Sequence, residues 1–237
     1  IRHRVLRTII KEDDGIGYQI VQPVDAWRLE SVQHDKQKDG DEKSNQFIES
    51  IISKPFELSA DFMIRAGLIE LGADDYKVIF SIHHIAFDAW SIPIFISELM
   101  TFYNAGVNEL PVALPELTIQ YADYSIWQRS DSYLKRINDK VAYWQKKLEG
   151  VRPVTLRHDF NVSPDFQNIG EQNHIAIDEK LTGQLKQFAR DQDVTLFMIL
   201  ISCLKTMLHT YSGEKDICIG TPIAGRSEDG VQKLIGF

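Results

Sequence analysis

Residues 5–10 (Val-Leu-Arg-Thr-Ile-Ile) are rich in strand formers, Lys11-Glu12-Asp13-Asp14-Gly15 supplies a turn, and Tyr18-Gln19-Ile20-Val21 resumes the strand pattern. The spacing predicts a β-hairpin. Residues 34–44 are a mixed-charge run with nothing to bury, read as a solvated loop entering a helix that carries Phe47, Ile48, Ile51 and Ile52. Pro55-Phe56-Glu57-Leu58 breaks that helix. Residues 63–71 are strand-like, and Gly72-Ala73-Asp74-Asp75 turns the chain into a second strand over 76–84. The near-continuous apolar run from Tyr76 to Ile82 predicts a strand covered on both faces. Period two puts Val78, Phe80, Ile82 and His84 on one face, with Ile79, Ser81 and His83 on the other.

A helix is predicted next, with Ser91 as N-cap and Pro93 in its first turn. Ile92, Phe95, Ile96, Leu99, Phe102 and Tyr103 keep one apolar face, and Gly106 marks the stop. Pro111 and Pro115 read as a connector, residues 118–128 as an aromatic helix, and Leu134, Ile137, Val141, Trp144 and Leu148 as the stripe of another helix ending at Gly150. Residues 151–170 hold little periodicity and read as a long connection between two lobes. Beyond it the pattern predicts a strand at 174–177, helices at 181–190 and 196–211, and a short strand at 216–219. The expectation is a layered α/β (α+β) protein, with a first lobe over 1–150 and a second over 151–237.

Composition narrows the classes. The 237 residues are 43% apolar and 25% charged, which places the chain among globular proteins. A net charge of −8 argues against a nucleic-acid binder, which draws its affinity from Lys and Arg on phosphates. Two cysteines, Cys203 and Cys218, with no CxxC or Cys/His cluster, support neither a disulfide framework nor a zinc site, and a reducing cytoplasm is the expectation. The most apolar window, 196–204, is too short for a membrane span and reads as a buried helix. The chain starts without Met and ends on Leu234-Ile235-Gly236-Phe237, so both ends look like cuts inside a longer protein.

Candidate chemistry concentrates in His83-His84-Ile85-Ala86-Phe87-Asp88-Ala89-Trp90-Ser91. Adjacent histidines on a strand point to opposite faces and cannot easily share one ion, so metal binding is disfavoured. An imidazole at a strand end is suited to proton transfer near neutral pH, and a carboxylate nearby can orient the ring or fix the loop. On the residues alone, a catalytic histidine and a hydrogen-bonded core histidine both stand open.

The same segment resembles the HHxxxDG motif of condensation domains from nonribosomal peptide synthetases, in the chloramphenicol acetyltransferase-like superfamily. Arg2-His3-Arg4-Val5-Leu6-Arg7-Thr8 resembles the family's RHExLRT motif, and Pro55-Phe56-Glu57-Leu58 with Ile64-Arg65-Ala66 its PFDL…LRA stretch. Tyr121-Ala122-Asp123-Tyr124-Ser125-Ile126-Trp127-Gln128-Arg129 is similar to YxDYAxWQR, Gly220-Thr221-Pro222-Ile223-Ala224-Gly225-Arg226 to GxPxAGR, and Leu234-Ile235-Gly236-Phe237 to the start of IGxFVN. The matches follow the family's order along essentially the whole chain.

The resemblance implies the two-lobed chloramphenicol acetyltransferase-like sandwich, with this chain as roughly its middle half. It also implies amide formation between two thioesters carried on phosphopantetheine arms of donor and acceptor peptidyl carrier proteins. An adenylation domain would neighbour it in the parent chain, with no bound cofactor, metal, nucleic acid or membrane. His84 is then the catalytic histidine, and His83, Asp88, Ala89, Trp90 and Arg226 support the site, Arg226 as the partner of Asp88 from the other lobe. Arg2, His3 and Arg7 read as scaffold nearby, and Tyr121, Tyr124 and Trp127 as packing. Ala89 stands where the motif carries glycine and would be strained if the loop needs positive φ. Two other readings remain: a stand-alone acyltransferase using acyl-CoA, and a non-catalytic module that docks carrier proteins.

Overall fold

The computed structural model describes residues 2–34, 40–156, 159 and 173–237. They form two compact units, one of Ile1–Asp139 with Ile223–Phe237 and one of Lys140–Pro222. The expected division at 150/151 differs from this one chiefly in segment 223–237. Its backbone and side chains are bonded to residues of the first hundred and twenty or so, and it belongs with them by contact.

The first unit opens on a 3₁₀ turn, Arg4–Arg7, and an antiparallel hairpin of β1 (Thr8–Asp13) and β2 (Ile16–Val21). The turn residues Asp14 and Gly15 both have positive φ, the requirement of a two-residue hairpin turn whose twist matches its strands. Val5, expected in the strand, instead lies buried in the 3₁₀ turn. A three-stranded sheet follows in the order β3 (Glu30–Gln33), β4 (Ile64–Gly72), β5 (Asp75–Ile82), parallel between β3 and β4 and antiparallel between β4 and β5. Helix α1 (Gly40–Ile52) covers the sheet, so residues 40–44 are helical rather than part of the expected loop, whose residues 35–39 lie outside the described ones. Its Phe47 and Ile51 press against Gly67 of β4 so closely that a Cβ there would stand 2.7 Å from the Phe47 ring.

Strand β5 departs from the expectation of cover on both faces. Among the described residues it pairs only with β4, and Tyr76 and Val78 are exposed, while Phe80 packs edge-on to Phe95 with ring centroids 4.9 Å apart. Phe95 lies on helix α2 (Ser91–Val107), whose remaining stripe is largely exposed at Ile92, Ile96, Phe102 and Tyr103. Beneath α2, Val5, Met63, Ala86 and Ile235 form one buried cluster. Helix α3 (Tyr121–Gln128) and helix α4 (Asp131–Lys147) complete the helices that begin in this unit.

The second unit holds α5 (Glu179–Asp191) and α6 (Leu196–Ser212). Asp178 and Thr195 cap them by accepting the N–H groups of Leu181 and Met198, and Gly213 ends α6 at φ 75°. Ile199 of α6 is buried, but Phe197, Met198 and Leu200 are exposed, so the run 196–204 is a helix buried on one side only. Neither 174–177 nor 216–219 forms a strand. A strand needs a neighbour for its backbone ladder, and none of the described residues supplies one there. Most of the expected connection at 151–170 lies outside the described residues. No single described helix is long and apolar enough to cross a membrane.

Candidate active site

The motif begins where β5 ends. The N–H of His83 donates to the carbonyl of Met63 at 2.9 Å, and the chain then tightens into a 3₁₀ turn, His84–Ala86. His83 Nδ1 accepts the N–H of Ile85 at 3.1 Å, which fixes the turn, and its ring stands edge-on to Phe56 at 5.6 Å. Phe56 in turn carries the Arg65 guanidinium 3.8 Å from its centroid, so His83, Phe56 and Arg65 form one packed stack. His84 packs elsewhere, edge-on to the Phe237 ring at 5.0 Å. Its side chain is exposed, and among the described residues neither ring nitrogen makes a hydrogen bond.

Asp88 fixes the loop rather than the His84 ring. Its Oδ1 accepts the N–H of Ser91 at 2.8 Å, the Ser91 hydroxyl at 2.6 Å and the Arg226 guanidinium at 2.9 Å. Burial by itself raises the Asp88 pKa, but these bonds from Ser91 and Arg226 favour the carboxylate and leave it below the ordinary value. Arg226 is buried, with its side chain 4% exposed, and also donates to the carbonyls of Val231, Leu234 and Gly236. Guanidinium carries five N–H donors in a rigid fork, which suits a hub that must satisfy a carboxylate and several carbonyls together.

Ser91 has a larger part than the N-cap expected of it. It is the first residue of α2 and fully buried, and its Oγ accepts the N–H of Gly236 at 3.1 Å while donating to Asp88. The Asp88 N–H completes the tie by donating to the Gly236 carbonyl at 3.0 Å. Trp90 is half exposed, and its Nε1–H donates to the carbonyl of Gln232 at 3.0 Å. Tyr121 packs as expected, but its hydroxyl also donates to the Phe237 carbonyl at 2.6 Å, and burial pushes its pKa up.

Positive φ outside glycine occurs, among the described residues, at Asp14, Glu109 and Asp193, and Ala89 is not one of them. The loop therefore imposes no left-handed backbone at Ala89. An Ala89→Gly change is expected to bring no gain in turnover and to lower stability by about 0.4–1 kcal/mol through a freer unfolded chain. Denaturant midpoints and rates compared with the native protein test this, and a faster variant would show that the loop does want glycine. Gly236 is different. A Cβ there would lie 2.1 Å from the Tyr121 ring, itself anchored through its hydroxyl. Gly236→Ala is expected to cost about 3 kcal/mol by overpacking, read as a lowered denaturant midpoint, and an unchanged midpoint would refute the tight contact.

A groove of about 810 Å³ lies elsewhere in the first unit, lined by Arg2, His3, Trp27, Phe95, Glu98 and other residues, and it does not include His84. The candidate chemistry thus sits outside it, at the exposed junction of the His84 turn and segment 235–237.

The Condensation domain family matches this chain over residues 1–237. The chain belongs to the condensation-domain family. A linear gramicidin synthase protein of Brevibacillus parabrevis is 35% identical over 240 residues, covering 100% of this chain and 5% of that protein. Nonribosomal peptide synthetase kk1B of Curvularia clavata is 31% identical over 241 residues, again 100% of this chain and 2% of the relative. The condensation-domain chain therefore spans a small part of the curated relatives it matches. Among solved structures, the SgcC5 protein from Streptomyces globisporus aligns with a TM-score of 0.76 at 23% identity, covering 99% of this chain and 53% of that one. That likeness shows the fold, and this condensation-domain chain spans about half of the neighbour's length.

Proposed function

We propose that this condensation-domain chain takes part in amide bond formation between two thioester-bound substrates, with His84 as the catalytic residue. The α-amine of the acceptor attacks the donor's thioester carbonyl. The C–N bond forms to give a tetrahedral intermediate, whose collapse restores the carbonyl and breaks the C–S bond, and the proton lost by the amine ends on the departing sulfur, so the donor arm leaves as a thiol. His84 positions the amine and takes that proton, while His83, Asp88, Ala89, Trp90 and Arg226 hold the turn that carries it. The substrates arrive on phosphopantetheine arms of donor and acceptor carrier proteins. An adenylation domain belongs to the same cytoplasmic assembly, and the lobes run along the sequence as 1–150 and 151–237, the last segment, 223–237, being the part that bonds back to the first.

One observation carries this reading. In the motif, His83, Asp88, Trp90 and Ser91 each commit a polar side-chain atom to the protein, whereas among the described residues the exposed His84 ring keeps both nitrogens available. A group that transfers protons needs that freedom. The case for a non-catalytic docking module rests on Ala89, whose backbone lies in an ordinary region. The test is peptide formation by the full-length gene product, with donor and acceptor carrier proteins loaded, native against His84→Ala. Loss of product with the fold retained supports the assignment, and full activity of the variant refutes it. Turnover with acyl-CoA in place of a loaded donor carrier would favour the stand-alone acyltransferase instead.

A further inference from the structure

We propose that His3 is a positioning residue for this site: as a neutral imidazole of one tautomer it anchors segment 235–237, and so sets the Phe237 ring against His84. The proposal rests on the reading of His84 as catalytic, which His3 does not touch. Its Nδ1 lies 3.3 Å from the backbone nitrogen of Ile235, across 232 residues of sequence, and its Nε2 lies 2.9 Å from Glu98 Oε2. A backbone N–H can only donate and a carboxylate can only accept. Nδ1 must therefore hold a lone pair and Nε2 the proton. Glu98 is itself fixed, since its Oε1 accepts Arg2 Nε–H at 2.7 Å and Arg2 also donates to the Pro115 carbonyl at 2.6 Å.

The surroundings keep the ring neutral. His3 is 8% exposed, and burial is the main cause that lowers its pKa, opposed in part by Glu98 and reinforced by Arg2. Among the described residues those are the charged side chains facing it, Glu98 from α2 and Arg2 from its own segment. Protonation would turn Nδ1 from acceptor into donor and set two N–H groups against each other at Ile235. The next two residues show what the anchor serves. Gly236 is bonded to Ser91, Asp88 and Arg226, Phe237 to Tyr121, and the Phe237 ring forms the wall beside His84. His3 supplies the side-chain acceptor for the backbone at the near end of this three-residue strap, and without it Ile235 keeps its apolar packing but its N–H loses that acceptor.

Two substitutions separate the two ring nitrogens. In His3→Asn the side-chain oxygen falls near the Nδ1 position and can still accept from Ile235, whereas in His3→Gln the amide nitrogen falls near Nε2 and keeps only the bond to Glu98. The experiment is hydrogen–deuterium exchange, by mass spectrometry, of the peptide covering Ile235 and Gly236 in the full-length gene product, alongside kcat and KM for amide formation. His3→Gln is expected to raise exchange there and lower kcat by about threefold to tenfold, the worth of one hydrogen bond, with KM little changed. His3→Asn should stay near native in both. Activity of the native protein should fall as pH drops through the lowered His3 pKa, below the ordinary 6.5, and that part of the acid loss should be missing in His3→Asn. Equal damage in Asn and Gln variants, or none in either, overturns the proposal. Should both variants fail to fold, Glu98→Leu, which leaves no acceptor for the His3 Nε2–H, is the substitute. It removes the carboxylate that fixes the tautomer and should raise exchange at Ile235, and unchanged exchange overturns the proposal. Exchange needs no turnover, so failure of the catalytic reading of His84 remains distinguishable from failure of this one.

Discussion

Arg226→Ala is expected to destabilise the chain by about 3–5 kcal/mol, the usual loss when one partner of a buried ion pair is removed. The deletion strands the Asp88 carboxylate, most of whose side chain is covered, and leaves the carbonyls of Val231, Leu234 and Gly236 without their donor. At this chain length the loss corresponds to a melting temperature lower by on the order of 10 °C. Asp88→Ala should cost nearly as much, because it buries an unpaired guanidinium and removes the acceptor of the Ser91 N–H and hydroxyl. The double variant should cost less than the sum of the two, since each single change already breaks the pair. Turnover should fall with stability in all three. Normal melting with lost turnover would give Asp88 a chemical role instead.

The same pair sets an acid limb. Because the folded-state pKa of Asp88 is depressed, its contribution is fully present above the unfolded carboxylate value of about 3.9 and is lost as pH falls through the folded value. Native protein should therefore lose stability below about pH 4, and the Arg226→Ala variant, whose Asp88 keeps the bonds from Ser91, should lose less over the same range. Urea midpoints at descending pH read the difference directly.

What the sequence made legible was local. The 3.6-residue stripes of α1, α2 and α4 to α6 and the hairpin lie within short windows, where propensity and periodicity act, although the expected turn over 11–15 shrinks to Asp14-Gly15 because pairing with β2 carries 11–13 into β1. β3 was not legible, because Val32 is the one apolar residue among its four and its strand character comes from pairing with β4. The segments 174–177 and 216–219 err the other way: strand-forming residues with no partner among those described. At the site, the resemblance singles out the His84 turn and pairs Asp88 with Arg226, a bond the structure contains, but it does not single out Ser91. Ser91 reads locally as a cap, yet its hydroxyl bonds Gly236, 145 residues later. His3 and Gly236 are equally opaque, since neither the Ile235 N–H nor the Tyr121 ring is near them in sequence. Long-range polar contacts have no period, so no window of sequence contains their signal.

His84→Ala is expected to lower amide formation by about 10²–10⁴-fold, the range for removal of a positioned general acid or base, while barely changing stability. The ring is exposed, and its packing is one edge-on contact with Phe237, worth about 0.5–1.5 kcal/mol. That profile is the reverse of Arg226→Ala, so the pair of variants separates chemistry from scaffold within one loop. The pH dependence of the residual rate then locates the proton. A free α-amine has a pKa of about 8, so raising pH from 7 to 9 increases its neutral fraction by roughly tenfold. If His84 acts by taking the amine's proton before attack, the His84→Ala variant should recover by about that factor over this range, relative to native. If it acts when the tetrahedral intermediate collapses, a more abundant neutral amine does not replace it, and the deficit should persist at pH 9. Equal rates for variant and native protein at pH 7 would remove His84 from the mechanism altogether.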